Sequence, residues 1–194
     1  MPPKVKISKD DIIRASLELV REDGMDALNA RHLATSLECS TQPIFSNFAT
    51  MDALLSEVIK SAYGLYFSYL ENEAQSGKYP TYKSFGMAYI RFAKEERNLF
   101  HLLFMRGRNG ESLTPTDDVE RSVEIIMSAN GISRKRAELM HLEMWACVHG
   151  IATMIATSFF ELDWELISEM LSDVYHGIRV RHIEEEKNER NESN

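Results

Sequence analysis

The side chains best suited to chemistry on another molecule lie between Ser40 and Asn47. There Ser40, Thr41, Gln42, Ser46 and Asn47 place hydroxyls and carboxamides on a short segment around Pro43. Their chemistry is hydrogen bonding rather than bond making. Amides and hydroxyls both donate and accept, which is what base edges and phosphate oxygens in a DNA groove require. Ile44 and Phe48 are apolar and four residues apart, so on a helix they share one side and leave the polar set on the other. A purely structural helix would more naturally carry Lys and Glu at those outward positions. Covalent chemistry has little to build on. His101, His141 with Glu143, and His149 fall on predicted helices without an HExxH spacing, and no nucleophile elbow surrounds a Ser or Cys. No glycine-rich phosphate loop is present either. The sequence therefore predicts no enzymatic activity, no metal and no cofactor.

Two short helices around a tight turn would present such a polar face. Ser8, followed three residues later by Asp11, predicts a capping box that opens a first helix running to Glu22 or Asp23. Ile12, Ile13, Leu17, Leu19 and Val20 form its apolar stripe, and Gly24 supplies a left-handed stop. Asn29 is predicted to cap a second helix carrying Leu33, Ala34 and Leu37. Ser40 or Thr41 would cap a third, with Pro43 in its first turn. The three together make a compact unit.

The pattern Gly24-x4-Asn29-x-Arg31-x-Leu33-Ala34-x3-Glu38-Cys39-Ser40-Thr41-Gln42-Pro43-Ile44-Phe45-x2-Phe48-x3-Asp52-Ala53-Leu54-Leu55 resembles the DNA-binding region of the TetR (tetracycline repressor-like) family. The resemblance covers roughly the first third of the chain, at a spacing fixed over about thirty positions. It implies an all-α protein whose helix-turn-helix reads a palindromic operator in double-stranded DNA. It further implies a homodimer formed through the last two long helices, and a small-molecule effector that usually releases the DNA. By that resemblance Asn29 and Arg31 sit where a helix start touches the phosphate backbone, and the Thr41 to Asn47 helix enters the groove. Ser40, Phe45 and Thr50 join the contact set, as do Lys4 and Lys6 of a basic arm over residues 1–9. Three positions depart from the family pattern. Glu38 stands where the family usually has Gly at the turn, and Phe45 and Met51 replace a Tyr and a Lys that contact phosphate. Lys4, Lys6 and Lys9 give the arm a charge of +3, whereas Arg14, Arg21, Arg31 and Lys60 face nine acids over residues 10–60. Weak, salt-sensitive binding that leans on the arm is expected. The rival reading is a helical dimeric scaffold or adaptor of the same fold with weak or lost DNA binding.

The remaining pattern predicts about nine helices and no strand. Thr50 can cap a fourth helix with Leu54, Leu55, Val58, Ile59, Ala62, Leu65, Tyr66 and Tyr69, which runs towards Gln75 and spans both expected domains. Phe85, Ala88, Tyr89 and Phe92 mark a fifth, the run Leu99 to Phe104 a short sixth, and Arg106 to Pro115 a loop. Val119, Val123 and Ile126 mark a seventh. An eighth, from about 134 to 160, carries Ala137, Met140, Met144, Val148, Ile151, Ile155 and Phe159, and a ninth opens at Asp163. Two long consecutive apolar helices suggest a four-helix seam with a second subunit. Trp145-x3-His149-Gly150 resembles a signature of one C-terminal subtype of the family. Phe92, Phe100, Phe104, Met140, Met144, Trp145 and His149 are candidates to line a cavity for an apolar or amphipathic effector. At helical spacing the same residues serve equally as core. The expected domains are residues 1–50 for DNA binding, 51–183 for effector binding and dimerisation, and 184–194 as a disordered acidic tail, with five acids against two bases.

Composition is that of a globular chain. The 194 residues are 44% apolar and 27% charged, and a net charge of −8 argues against a generic nucleic-acid coat or a membrane-surface protein. No run approaches eighteen apolar residues, and the first residues lack the apolar core of a signal peptide, so a cytoplasmic location without membrane contact is expected. Cys39 and Cys147 are distant from each other and predict neither a disulfide nor a zinc ribbon.

Overall fold

The computed structural model describes residues 7–107 and 117–192. Lys4 and Lys6 of the expected arm, and most of the expected loop from Arg106 to Pro115, lie outside the described residues. Among those residues there are nine α-helices and no strand, the all-α class that the periodicity predicted. The chain forms two compact units, Met1–Ser68 with Glu95–Gly107, and Tyr69–Lys94 with Arg108–Asn194. Compactness therefore does not divide the chain after residue 50. The fourth helix as far as Ser68 and the segment Glu95–Gly107 belong with the N-terminal helices.

In the first unit, α1 (Lys9–Asp23) opens with the capping box its sequence predicted. The Asp11 N–H donates to Ser8 Oγ at 3.1 Å, and the Ser8 N–H donates back to Asp11 Oδ2 at 3.1 Å. The face it buries is Ile12, Ser16 and Val20, with Ile13, Leu17 and Leu19 at its margins. Ser16 tolerates burial because its hydroxyl donates to the Ile12 carbonyl at 2.7 Å. Then come α2 (Ala30–Ser36), α3 (Gln42–Asn47) and the larger part of α4 (Met51–Gln75), which buries Leu54, Val58, Ala62 and Tyr66 at four-residue spacing.

The end of α1 is held by residues far along the chain. Arg21 forks onto Glu96, with Nε to Oε2 at 2.6 Å and Nη2 to Oε1 at 2.5 Å. Asn98 Nδ2 donates to the carbonyls of Arg21 and Glu22 at 3.0 and 3.1 Å, so a side chain satisfies carbonyls left open by the helix end. Glu96 is also the N-cap residue of α6 (Arg97–Phe100), which continues into a wider π-type turn over His101–Met105. Leu99, Phe100, Leu102 and Leu103 are buried there, as the dense apolar run predicted.

The second unit is built on α5 (Thr81–Glu95), which buries Phe85, Met87, Ala88, Tyr89, Ile90, Phe92 and Ala93. Around it lie α7 (Asp117–Asn130), α8 (Arg134–Ala156) and α9 (Trp164–Glu192). A Cβ added at Gly86 of α5 would stand 3.2 Å from Val148 and 3.4 Å from Leu171, so the glycine is what lets these helices approach so closely. A further cluster joins Val123, Ile126, Ile132, Ala137 and Met140, with Tyr82, Tyr175 and Ile178 packed on it. By length and composition α8 could cross a membrane, although no run of that kind was expected from the sequence. One side of it is nevertheless core, through Ala137, Met140, Met144, Val148, Ile151 and Ile155. It ends at Ala156, short of residue 160, where Ser158 takes a left-handed φ of 56° and Phe159 falls in the exposed segment that follows.

The expected disordered tail is corrected. Residues 184–192 continue α9, because their acids find partners at the start of α8. Arg136 pairs with Glu185 at 2.5 Å, Glu186 at 3.3 Å and Glu189 at 2.5 Å, while Glu186 accepts the Ser133 N–H at 3.0 Å and its hydroxyl at 2.9 Å. Arg190 reaches the Gly131 carbonyl at 3.0 Å.

Two outcomes follow from these contacts. The Glu96 side chain is 3% exposed against 43% for Arg21, so Arg21→Ala leaves a buried carboxylate without its main partner. Unfolding in urea should show a loss of about 2 kcal/mol, partly restored by adding Glu96→Gln. The Ser133 N–H and hydroxyl hold the Glu186 carboxyl below the ordinary glutamate value of 4.5. Its contribution is therefore complete above that value and is lost as pH falls through the lower folded-state value. Backbone carbon chemical shifts of residues 184–192 should stay helical at neutral pH and move towards coil only below about pH 4.5.

Candidate nucleic-acid interface

The short helix α3 is positioned by two anchors. Ile44 is fully buried and Phe48 nearly so, with Lys9 Nζ lying 5.3 Å from the centre of the Phe48 ring. On the other side Gln42, Phe45, Ser46 and Asn47 are exposed, and Thr41 and Pro43 are half-buried. The outward polar face expected from the spacing is present. Thr41 stands at the N-cap position, but its side chain makes no capping hydrogen bond, and Pro43 falls in the first turn as expected. Ser46 Oγ donates to the Gln42 carbonyl and Asn47 Nδ2 to the Pro43 carbonyl, each at 2.8 Å. Both side chains thus lie back along their own helix.

The turn between α2 and α3 carries the departure the sequence flagged. Glu38 has φ 51°, a left-handed conformation that glycine adopts without cost and a side chain does not. The turn is closed by Glu38 N to Thr35 O at 3.1 Å and Cys39 N to Ala34 O at 2.9 Å.

Asn29 is the N-cap of α2. Its Oδ1 accepts the N–H groups of Arg31 at 3.2 Å and His32 at 3.0 Å, and its Nδ2 donates to Ala27 O at 3.2 Å. Both ends of its amide are occupied in fixing the helix start, which leaves Arg31 and His32 exposed beside it. Thr50 likewise caps α4, its Oγ1 accepting the Ala53 N–H at 3.1 Å. Ser40 is exposed and Met51 half-buried.

The candidate effector-lining residues fall in both units. Phe100 and Phe104 belong to the first unit, 5.4 Å apart between ring centres, and Tyr66 meets Phe104 edge-on at 5.2 Å. In the second unit Phe92 meets Tyr69 edge-on at 5.4 Å, Met140 sits in the Val123 and Ile126 cluster, and Met144 is buried. Trp145 is 41% exposed and stacks on His149 at 4.8 Å. The sequence reading missed what holds His149, namely the Tyr89 hydroxyl 2.9 Å from Nδ1. A second such pair, Tyr82 with His141 at 3.1 Å, links the same two helices. The spacing of 82 to 89 and 141 to 149, two turns on each helix, was the signal available. Burial depresses both imidazoles below the ordinary histidine value, for His141 against the opposing pull of Asp118. Burial, aided by Tyr175, pushes the Tyr82 hydroxyl far above the usual phenol range. Cys39 and Cys147 are free and half-buried, and burial raises the Cys147 thiol.

Among the described residues α2, the turn at Glu38 and α3 form a helix-turn-helix within an all-α fold. Residues 82–174 match the family described as the tetracyclin repressor-like C-terminal domain. Among solved structures it is similar to a variant of TetR from Acinetobacter baumannii AYE in complex with minocycline. That similarity has a TM-score of 0.60 and 18% identity, over 91% of this chain and 99% of that one. At that identity the likeness is one of fold. No curated protein sequence matches the chain.

The turn geometry yields a direct expectation. Glu38→Gly removes the left-handed penalty while giving the unfolded chain more freedom, so thermal unfolding should show a net gain of about 0.5–1 kcal/mol.

Proposed function

We propose that the chain is a TetR-type DNA-binding transcriptional regulator: a repressor that reads a palindromic operator as a homodimer and responds to an apolar or amphipathic small molecule. The observation that carries this reading is α3, where buried Ile44 and Phe48 leave Gln42, Ser46 and Asn47 exposed in a family of regulators. Arg31 and the start of α2 supply the adjoining phosphate contact, with Lys4 and Lys6 as a basic arm. Dimerisation through α8 and α9 is supported by the large apolar side chains each leaves in water. On α8 these are Leu139, Leu142 and Trp145 at three-residue spacing, with Leu142 at 58%. On α9 they are Leu166 and Val180. Effector binding is supported by the neighbour whose structure holds minocycline. The working location is the cytoplasm, where operator and effector meet.

The rival, a dimeric scaffold with weak or lost DNA binding, draws on the strained turn at Glu38 and on Phe45 and Met51 in place of phosphate contacts. A gel shift with the DNA flanking the protein's own coding region separates the two. Wild-type protein should bind at low salt and weaken steeply at moderate salt. The Gln42→Ala, Asn47→Ala double variant should lose roughly a hundredfold in affinity while remaining a folded dimer by size-exclusion chromatography. Equal binding by both proteins would favour the scaffold.

A further inference from the structure

The face of α3 contains one residue that hydrogen bonding does not explain. Ile44 and Phe48 are taken into the core, and Lys9 covers the Phe48 ring, whereas Phe45 stays 51% exposed among Gln42, Ser46 and Asn47. Its ring has no hydroxyl to give a phosphate and no amide to give a base edge. Placed on a helix, Phe45 lies about 60° from Gln42 and about 100° from Ser46, so it borders the strip that points straight away from the two anchors. Its Cβ is about 5–6 Å from that of Gln42, one to two steps along a duplex with a rise of about 3.4 Å. In a major groove a single group matches an apolar ring at that place, the C5-methyl of thymine.

We infer that Phe45 reads the C5-methyl of a thymine in each operator half-site, next to the base pair that Gln42 contacts. The inference rests on the proposal that α3 enters the major groove. It assigns to Phe45 a role in sequence selection rather than in phosphate binding. The ring gives up water-exposed surface only where a methyl is present to cover it, so the contact discriminates by apolar burial and not by charge. Losing one such methyl is worth roughly fourfold in affinity, and losing both in a two-fold site about fifteenfold.

The test uses the full chain and needs no known operator. Wild-type protein selects sites from a random-sequence duplex pool, and the enriched sequence is then synthesised with thymine or with uracil, which differ only in the methyl. Fluorescence anisotropy should show about fifteenfold weaker binding of wild type to the uracil duplex. Phe45→Ala, whose fold is checked by circular dichroism, should bind both duplexes about as weakly as wild type binds the uracil one. Equal wild-type binding to the two duplexes overturns this inference and leaves the DNA-binding reading standing. Discrimination that persists in Phe45→Ala also overturns it, because another side chain then reads the methyl. Failure to enrich any sequence sinks the DNA-binding reading and this inference together.

Discussion

A helix of six residues cannot sustain itself in water, and α3 exists because Ile44 and Phe48 are buried. Burying two such side chains contributes about 1.5–3 kcal/mol each, which offsets a large part of the roughly 1–2 kcal/mol per residue that ordering so short a segment costs. The outward direction of Gln42 and Ser46 is the geometric complement of that burial. It is set from within by side chains that need never touch a ligand. The same dependence explains the neighbouring caps. Asn29 spends its whole amide on fixing the start of α2, and the turn at Glu38 accepts an unfavourable backbone so that α3 reaches its anchors.

The first unit is not a contiguous stretch of chain. Arg21 and Glu96 are 75 residues apart, and Asn98 is 77 from the Arg21 carbonyl it binds, yet together they close the end of α1. A carboxylate so nearly excluded from water is stabilised by the guanidinium that forks onto it. This pairing makes the segment Glu95–Gly107 part of the N-terminal body, whereas its apolar composition alone would have assigned it to the helical domain that follows.

What the sequence disclosed was local. Ser8 with Asp11, Asn29, Thr50 and Pro43 announced their helices because caps act within one turn, and the four-residue rhythm of Leu54, Val58, Ala62 and Tyr66 gave α4 its buried side. What it withheld depended on distant partners. The run Glu184 to Asn194 looks self-repelling, but as far as Glu192 it is neutralised or satisfied by Arg136 of α8 and by Gly131 and Ser133 of the turn before it. Tyr89 and His149, each unremarkable alone, become a pair only when α5 lies beside α8. Of the residues nominated for an effector cavity, the aromatic and Met periodicity identified buried positions such as Phe92 and Met140. It could not separate a lining from a core, since both follow the same helical rhythm.

Ser46 and Asn47 rest with their donors on the carbonyls one turn behind them. Each commits one donor there, so offering that donor to another partner is an exchange of acceptors, while Ser46 Oγ can still accept and Asn47 keeps its second N–H and its Oδ1. Little enthalpy then attaches to those two committed donors, and selectivity at these positions rests on the groups left open.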